Sequence, residues 1–197
     1  MTSALNDQSL DQIFRAARTP NGWADHPLAD DAVREIYDLM KWGPTSANTS
    51  PARFVWVRSA DGKATLAGLA AEPNRPKILK APVTVIIGHD LNFAGELTKL
   101  MPHNTEVMQN YFAGPGVAEV TAMRNGTLQG AYFIVAARAL GLDCGPMSGF
   151  DNAGVDKAFF SGTRITSNFI CSIGRGDPAS VFPRNPRLSF EEAGRWA

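Results

Sequence analysis

The chain has 197 residues, of which 44% are hydrophobic and 19% charged, and its 19 lysines and arginines balance 19 aspartates and glutamates. This composition excludes an intrinsically disordered chain, and the length favours a single domain over residues 1–197. A formal net charge of zero argues against nucleic acid or an anionic membrane as the main partner, so an anionic ligand would need a local cluster of cations.

The first half of the chain shows helical spacing of apolar residues, interrupted by two segments typical of strands. These patterns predict helices over residues 3–18, from Asp30 to Met40 and over 61–70, and strands over 53–58 and 82–88. The second strand, Pro-Val-Thr-Val-Ile-Ile-Gly, is apolar along its length, which is typical of a strand covered on both faces. We therefore place it at the centre of a sheet. Pro73 and Pro76 break the chain shortly before it.

Residues 90–116 mix polar, apolar and aromatic side chains without a steady period. We expect a long irregular excursion with short helical pieces there, of the kind that often carries binding residues. The next segment, residues 117–140, has only three charged side chains and predicts a helix that is buried on all sides. Within it, Gly126 and Gly130 suit the close approach of a second helix and favour a dimer core.

The last third of the chain combines a polar loop, a strand and a basic tail. Gly141 ends the long helix, and we predict a loop through Gly-Pro-Met-Ser-Gly-Phe-Asp at 145–151. A short helix over 155–160 and a strand over 168–174 follow, and the tail is basic and then helical.

The two cysteines and the amino terminus carry no signal for a disulfide, a zinc site or secretion. Cys144 and Cys171 form no CxxC motif and lie in apolar contexts, so we interpret both as small buried side chains. The amino terminus has early acidic residues and no apolar run, and no segment is long enough to cross a membrane. We expect a cytoplasmic protein.

Motifs for several common sites are absent from the sequence. It has no GxGxxG, GxxxxGK[ST], GxSxG or HExxH motif, which leaves no dinucleotide fingerprint, phosphate loop, nucleophile elbow or zinc helix. The three histidines, His26, His89 and His103, are scattered along the chain. Neither a catalytic triad nor a metal centre is therefore indicated.

Polar loops at the ends of apolar elements supply the remaining chemistry. They lie at residues 15–21, 43–48, 73–74, 145–149 and 184–187. Their guanidinium groups suit a phosphate, which arginine grips bidentately, and their amides and backbone N–H groups suit the heteroatoms of a flat ring. Taken singly, each loop is also typical of an ordinary turn or a solvated face. Together they predict a site for an anionic cofactor with a flat ring.

Five segments, in order along the chain, resemble the flavin-dependent nitroreductase family. They are ARTPNGW at 17–23, GPTSANTSPARF at 43–54, Asn74, LGLDCGPMSGFD at 140–151 and PRNPRLSFEE at 183–192. Within that family, the first, second and fourth segments are most similar to the branch of malonic semialdehyde reductases in pyrimidine catabolism. Five motifs in the right order across nearly the whole chain argue against coincidence.

The resemblance implies an α+β fold in which a small, mostly antiparallel sheet lies among helices. It also implies an intertwined homodimer that holds two FMN molecules at the subunit interface, uses NADH or NADPH as hydride donor and contains no metal. A dimer of this kind agrees with the apolar helix predicted over residues 117–140.

The resemblance also implies flavin-binding roles for residues in all five segments. The implied phosphate ligands are Arg18, Thr19, Arg184 and Arg187, with Arg15 as a further candidate. The implied ring contacts are Pro44, Thr45, Ser46 and Asn48 from the other subunit, Asn74 at the polar edge, and Pro146, Met147, Ser148 and Gly149 against the ring.

Two positions depart from the pattern of the family. Asn21 stands where many members carry a basic residue near the N1 and O2 edge of the flavin, and Ser148 stands where many carry an acid. A basic group near N1 would stabilise the reduced ring, so the neutral Asn21 weakens that stabilisation unless another donor takes its place.

The resemblance implies ping-pong hydride transfer through N5 of the flavin, with no catalytic side chain required. We expect malonic semialdehyde as the substrate, reduced to 3-hydroxypropanoate, with Arg124 and His103 as candidate substrate contacts. One alternative is a reductase with broad specificity for nitroaromatic and quinone substrates. Another is a non-catalytic dimeric binding protein that has lost the flavin.

Overall fold

The structure, a computed structural model that describes residues 3–197, is built around a four-stranded antiparallel sheet. Its strands are β1 (Ala52–Val57), β2 (Val83–Asp90), β3 (Asp143–Met147) and β4 (Ile165–Gly174), in the spatial order β1-β2-β4-β3. The helices of the described chain are α1 (Asp7–Leu10), α2 (Asp30–Met40), α3 (Ala60–Leu69), α4 (Arg75–Lys80), α5 (Leu97–Leu100), α6 (Thr105–Phe112), α7 (Val117–Ala139), α8 (Asn152–Phe159) and α9 (Phe190–Ala193). The α+β fold with an antiparallel sheet is thus confirmed.

Strand β2 lies between β1 and β4, in the interior position that its apolar sequence predicts. Side chains alternate between the two faces of the sheet. Val83, Val85 and Ile87 pack with α2 and α7 on one face, and Ile86 packs with α3, α4 and α8 on the other. The sheet is therefore the middle layer of three, and both of its faces are covered by helices.

Helix α7 packs on the sheet through its two central glycines. A Cβ on Gly126 would lie 2.8 Å from Cβ of His89 on β2, and a Cβ on Gly130 would lie 2.5 Å from ring atoms of Phe169 on β4. A larger side chain at Gly126 would push the helix away from β2, and one at Gly130 would displace the ring of Phe169. The expectation that these glycines admit a second helix is wrong, because the sheet of the same chain fills the space beside them.

The opposite face of α7 is exposed in the single chain. Val120 is 55% exposed, Met123 48% and Leu128 39%. The prediction of burial on all sides is therefore wrong for this helix as one chain presents it. These apolar side chains recur at helical spacing and form a stripe that faces away from the sheet.

Proline-containing segments account for the main corrections to the predicted elements. The predicted loop 145–151 begins as strand β3, where Gly145 pairs with Ser172 of β4. β3 lies at the edge of the sheet, where a proline such as Pro146 is tolerated because only one side of the strand is paired. The break predicted at Pro73 to Pro76 contains the start of α4, since Pro76 occupies the first turn of a helix, which needs no N–H from it.

The amino-terminal helix is also shorter and less regular than predicted. It consists of α1 followed by a π-helical turn over Asp11–Arg15, so it ends before the predicted residue 18. The region 90–116 contains α5, α6 and two 3₁₀ turns, which confirms the expected short helical pieces.

Both cysteines are buried in the core, as predicted. They lie on neighbouring strands, and burial raises the pKa of the Cys171 thiol well above its usual range, with the adjacent Cys144 thiol adding to the rise. Within residues 3–197, no helix is both long and apolar enough to span a bilayer.

Candidate functional site

A basic pocket forms where the amino-terminal segment, the end of α7 and the carboxyl-terminal tail meet. Its volume is about 260 Å³. The residues that line it are Ala17, Arg18, Thr19, Asn21, Arg138, Phe182, Pro183, Arg184, Asn185 and Arg187. Five of these, Arg18, Thr19, Asn21, Arg184 and Arg187, are residues to which the sequence assigned a flavin role.

Hydrogen bonds between the two chain ends hold this pocket together. Arg184 donates from Nη2 to the carbonyl oxygens of Arg15 and Ala17, at 2.8 and 3.0 Å. Arg18 donates to the carbonyl of Phe182 in the tail. Asn21 donates from Nδ2 to the carbonyl of Ser180 at 3.0 Å. The structure thus brings together two predicted segments that lie at opposite ends of the sequence.

The four guanidinium groups of the pocket bond only to neutral carbonyl oxygens within the described chain. Besides the bonds of Arg18 and Arg184, Arg138 donates to the carbonyl of Ile13 at 3.1 Å, and Arg187 donates to two carbonyls of its own loop. The ion pairs of residues 3–197 involve other cations. Since no acid lines the pocket, its positive charge is uncompensated, and the donor set fits a phosphate group.

Arg15 lies outside this pocket. Its guanidinium pairs with Asp7 at 2.7 Å and with Asp11 at 2.6 Å, and all three side chains are exposed. The hydrogen bond to Asp7 is the main reason that the pKa of Arg15 is raised. The Arg15 side chain is therefore occupied within its own helix, while its backbone carbonyl supports Arg184.

The predicted loop at 44–48 adopts an unusual backbone conformation. Three residues that are not glycine have a positive φ, namely Ala47 at 49°, Asn48 at 50° and Ser50 at 39°. Each such residue typically costs about 1–3 kcal/mol, so the surrounding structure must hold the loop in place.

Side chains of α7 hold this loop through hydrogen bonds to its backbone. Asn125 accepts from the N–H of Ser46 at 2.8 Å, and Gln129 accepts from the N–H of Ala52, the first residue of β1 after the loop, at 2.8 Å. One turn further along, Tyr132 donates its hydroxyl to the carbonyl of Pro44 at 2.9 Å. The three α7 side chains are spaced along one face of the helix, so a single rigid element positions the loop. No sequence motif predicted these supporting residues.

The second predicted ring contact is a loop after β3, which the structure joins to Asn74. Asn74 donates from Nδ2 to the carbonyl of Gly149 at 3.1 Å, and the N–H of Ala71 donates to the same carbonyl at 2.9 Å. Pro146 and Met147 belong to β3, and Ser148 and Gly149 follow it. Among the described residues, the N–H groups of Ser148 and Gly149 have no acceptor, so both are available to a ligand.

The two candidate substrate contacts lie on exposed surface. His103 sits in the 3₁₀ turn Pro102–Asn104, and Arg124 lies on the exposed face of α7. In one chain, the basic pocket is not lined by either of these two residues. Thr45 and Gly149 also lie outside its lining. The predicted site residues therefore form separate groups: the basic pocket, the loop held by α7, the pair of Asn74 and Gly149, and the exposed substrate candidates.

Arg138 is the charged residue of the pocket that no sequence motif predicted. It is one of three charged residues in an otherwise apolar segment, at the end nearest the following strand. That placement was the sequence signal for a contact at this end of the helix, since an arginine is almost never buried without a partner.

Known proteins resemble this chain along nearly its whole length. The sequence model described as the nitroreductase family matches residues 3–174. A Caulobacter protein named NADH dehydrogenase/NAD(P)H nitroreductase is 61% identical over 191 residues, covering 97% of each chain. The Ralstonia pickettii protein HadB, which carries the same name, is 58% identical over 188 residues, covering 94% of this chain and 95% of HadB.

The fold also has a counterpart among solved structures. A nitroreductase from Exiguobacterium sibiricum, solved in complex with FMN, superposes with a TM-score of 0.86 over 100% of both chains at 20% identity. At that identity the likeness concerns the fold.

Proposed function

Because this chain belongs to the nitroreductase family, we propose that it is an NAD(P)H-dependent oxidoreductase that works with bound FMN. The observation that carries the proposal is the basic pocket, whose uncompensated guanidinium groups match a phosphate monoester in charge and in hydrogen-bonding geometry. Arg18, Arg184 and Arg187 would hold the phosphate, and the hydroxyl of Thr19 would add a further donor. Asn21, which lines the same pocket, is the candidate for the N1 and O2 edge of the ring.

A homodimer would complete the site. In one chain, the loop at 44–48 and the phosphate pocket belong to separate groups of residues, although the family resemblance assigns both to one flavin. We propose that Pro44, Thr45, Ser46 and Asn48 reach the flavin from the second subunit. The exposed apolar side chains of α7, and Trp42 at 80% exposure beside this loop, support burial against a second copy.

The ring of FMN would lie against the loop that follows β3. The free N–H groups of Ser148 and Gly149 would bond its heteroatoms, with Pro146 and Met147 behind them and Asn74 at its polar edge. Bound FMN supplies reversible hydride transfer between NAD(P)H and an acceptor. The residues of the chain would bind the phosphate, orient the ring and keep water away from it, so no nucleophilic side chain is needed.

For the substrate we propose malonic semialdehyde. Its reduction consumes one hydride from NAD(P)H and one proton, and it yields 3-hydroxypropanoate and NAD(P)⁺. The substrate carboxylate needs a cation, for which Arg124 is the candidate, and the developing alkoxide needs a proton, for which His103 is the candidate. Support comes from the run of motifs shared with the malonic semialdehyde reductase branch of the family.

A second candidate is a reductase of broad specificity for nitroaromatic and quinone compounds. The names of both relatives favour it, since each is called an NADH dehydrogenase/NAD(P)H nitroreductase. The two candidate enzymes use the same flavin and differ in their selectivity for the substrate. A non-catalytic binding protein without flavin is the third candidate, and the intact basic pocket argues against it.

Two measurements test these proposals in order. Purified protein is first incubated with FMN, freed of excess flavin and titrated with NADH and with NADPH under anaerobic conditions. We expect retained yellow colour that bleaches with at least one donor, and a dimer by light scattering. Colourless monomeric protein that binds no added FMN would refute the oxidoreductase proposal.

The second measurement compares kcat/KM for malonic semialdehyde, a nitroaromatic and a quinone with the donor that bleaches the flavin. A clear preference for the aldehyde is expected. A preference for either other acceptor would replace the aldehyde with the broad-specificity candidate and leave the flavin proposal intact.

A further inference from the structure

We propose that Arg138 is a fourth cation of the phosphate site and that it determines preference for phosphorylated flavin over riboflavin. This inference rests on the proposed function, because it assumes that the pocket takes the phosphate of FMN. The family motifs quoted above assign no role to Arg138. Its placement follows from the tertiary structure alone, where it lines the same pocket as Arg18, Arg184 and Arg187.

The side chain of Arg138 is held in place by the amino-terminal segment. Arg138 is the penultimate residue of α7, and its Nη1 donates to the carbonyl of Ile13 at 3.1 Å. Gln12 donates from Nε2 to the carbonyls of Arg138 and Ala139, at 2.8 and 3.1 Å. The helix end and the segment leading to Arg18 are thus tied together, which fixes the guanidinium at the wall of the pocket.

One hydrogen-bond donor of Arg138 is unsatisfied. Its Nε is buried and has no acceptor within the described chain, although buried N–H groups of charged side chains almost always have one. The guanidinium cannot lose its proton to relieve this cost. Because Nε is buried, an oxygen in the pocket could reach it only if the side chain shifted. The cationic side chain nevertheless lines the cavity, where it would attract the two negative charges that a phosphate carries near neutral pH.

A purely structural role would explain only part of this arrangement. The positive charge of Arg138 is favourable at the carboxyl end of α7, where the helix dipole is negative, and the bond to Ile13 anchors the amino-terminal segment. Neither interaction explains why the side chain joins three other unpaired cations around one cavity. Binding of a phosphate accounts for this clustering of cations.

Comparison of FMN with riboflavin separates the two roles, because riboflavin has the same ring and lacks the phosphate. Dissociation constants are measured by flavin fluorescence for the full chain after removal of bound flavin. We expect Arg138→Met to weaken FMN binding by about 10- to 100-fold, the usual loss for one charged hydrogen bond, and to leave riboflavin binding unchanged. Arg138→Lys should lose less, since it keeps the charge without the guanidinium fork.

Arg34→Met serves as the matched control. Arg34 is an exposed arginine on α2, outside the basic pocket, and its replacement should leave both constants unchanged. Equal losses for FMN and riboflavin in Arg138→Met would assign a structural role and overturn the inference, as would unchanged binding of both. If Arg138→Met does not fold, Arg138→Lys decides, and an unchanged ratio of the two constants in that variant overturns the inference.

The dissociation constants of the wild-type protein distinguish failure of the inference about Arg138 from failure of the proposed function. Wild-type protein that binds FMN no more tightly than riboflavin would remove the phosphate role from the whole pocket. Wild-type preference for FMN that persists in full in both Arg138 variants would remove only Arg138 from the site.

Discussion

Replacing Gly126 by alanine tests how closely α7 lies on β2, and Gly68 in α3 provides a matched control. Both glycines lie inside helices, so alanine at either position should gain about 0.5–1 kcal/mol from helix propensity. A Cβ on residue 68 would meet nothing within 4 Å, whereas a Cβ on residue 126 would lie 2.8 Å from Cβ of His89. Because that atom is fixed to the backbone of β2, only a shift of the helix or strand relieves the overlap.

Overpacking of this kind typically costs about 1–3 kcal/mol. Gly68→Ala should therefore be about 0.5–1 kcal/mol more stable than the wild type, and Gly126→Ala up to about 2.5 kcal/mol less stable. At about 2–4 °C per kcal/mol for a chain of this size, the two variants should melt about 2–12 °C apart.

The assay is urea unfolding followed by circular dichroism, with thermal melting at a single protein concentration so that any dimerisation affects all samples alike. Equal stability of Gly126→Ala and Gly68→Ala would refute the close packing of α7 on β2. Weaker dimerisation of Gly126→Ala at unchanged chain stability would favour the contact with a second helix that the sequence suggested.

Three further predictions concern the polar groups of the structure. Gln129→Met keeps the side-chain volume but leaves the N–H of Ala52 without its acceptor, so unfolding in urea should show a loss of about 1–3 kcal/mol; wild-type stability would mean that water replaces the bond. Arg187→Ala should weaken FMN binding about 10- to 100-fold in a fluorescence titration, equivalent to about 1.5–3 kcal/mol, and unchanged affinity would contradict its phosphate role. Burial lowers the pKa of His89 below its ordinary 6.5, with Asp156 partly opposing the shift, so around and just below that pH the unfolded chain binds more protons at this residue than the folded chain. Stability should therefore fall as pH drops through 6.5, and it should fall less in His89→Gln; an identical pH profile for the two proteins would contradict this.

Much of the secondary structure was predictable because its signals are local. The strand around Val85 and Ile87 has an uninterrupted apolar run, and it does occupy the interior of the sheet. The long helix was also predictable in its extent, since it begins and ends within a residue of the prediction. Strand β3 was missed because Gly145 and Pro146 are typical of a loop, and only the pairing with β4 makes an edge strand of them.

The candidate site was predictable in its chemistry and less so in its arrangement. The resemblance to a family assigned Arg18, Arg184 and Arg187 to a phosphate, and the structure joins them in one pocket. It assigned no role to Arg138, because nothing in a local pattern shows that the end of α7 meets the amino-terminal segment. The same limit applies to Gln129, whose role depends on the position of β1.

The order of apolar and polar residues by itself determined α2, α3, α7, the strands β1, β2 and β4, and the supply of cations and amides at loop ends, since each of these depends on neighbours within a few residues. Tertiary structure alone decided what the glycine face of α7 packs against, and which cations share a cavity. These features depend on contacts between residues that are far apart in the chain, such as Arg138 with Ile13 and Gly126 with His89. Close packing of the whole core sets such contacts, and no short segment encodes them.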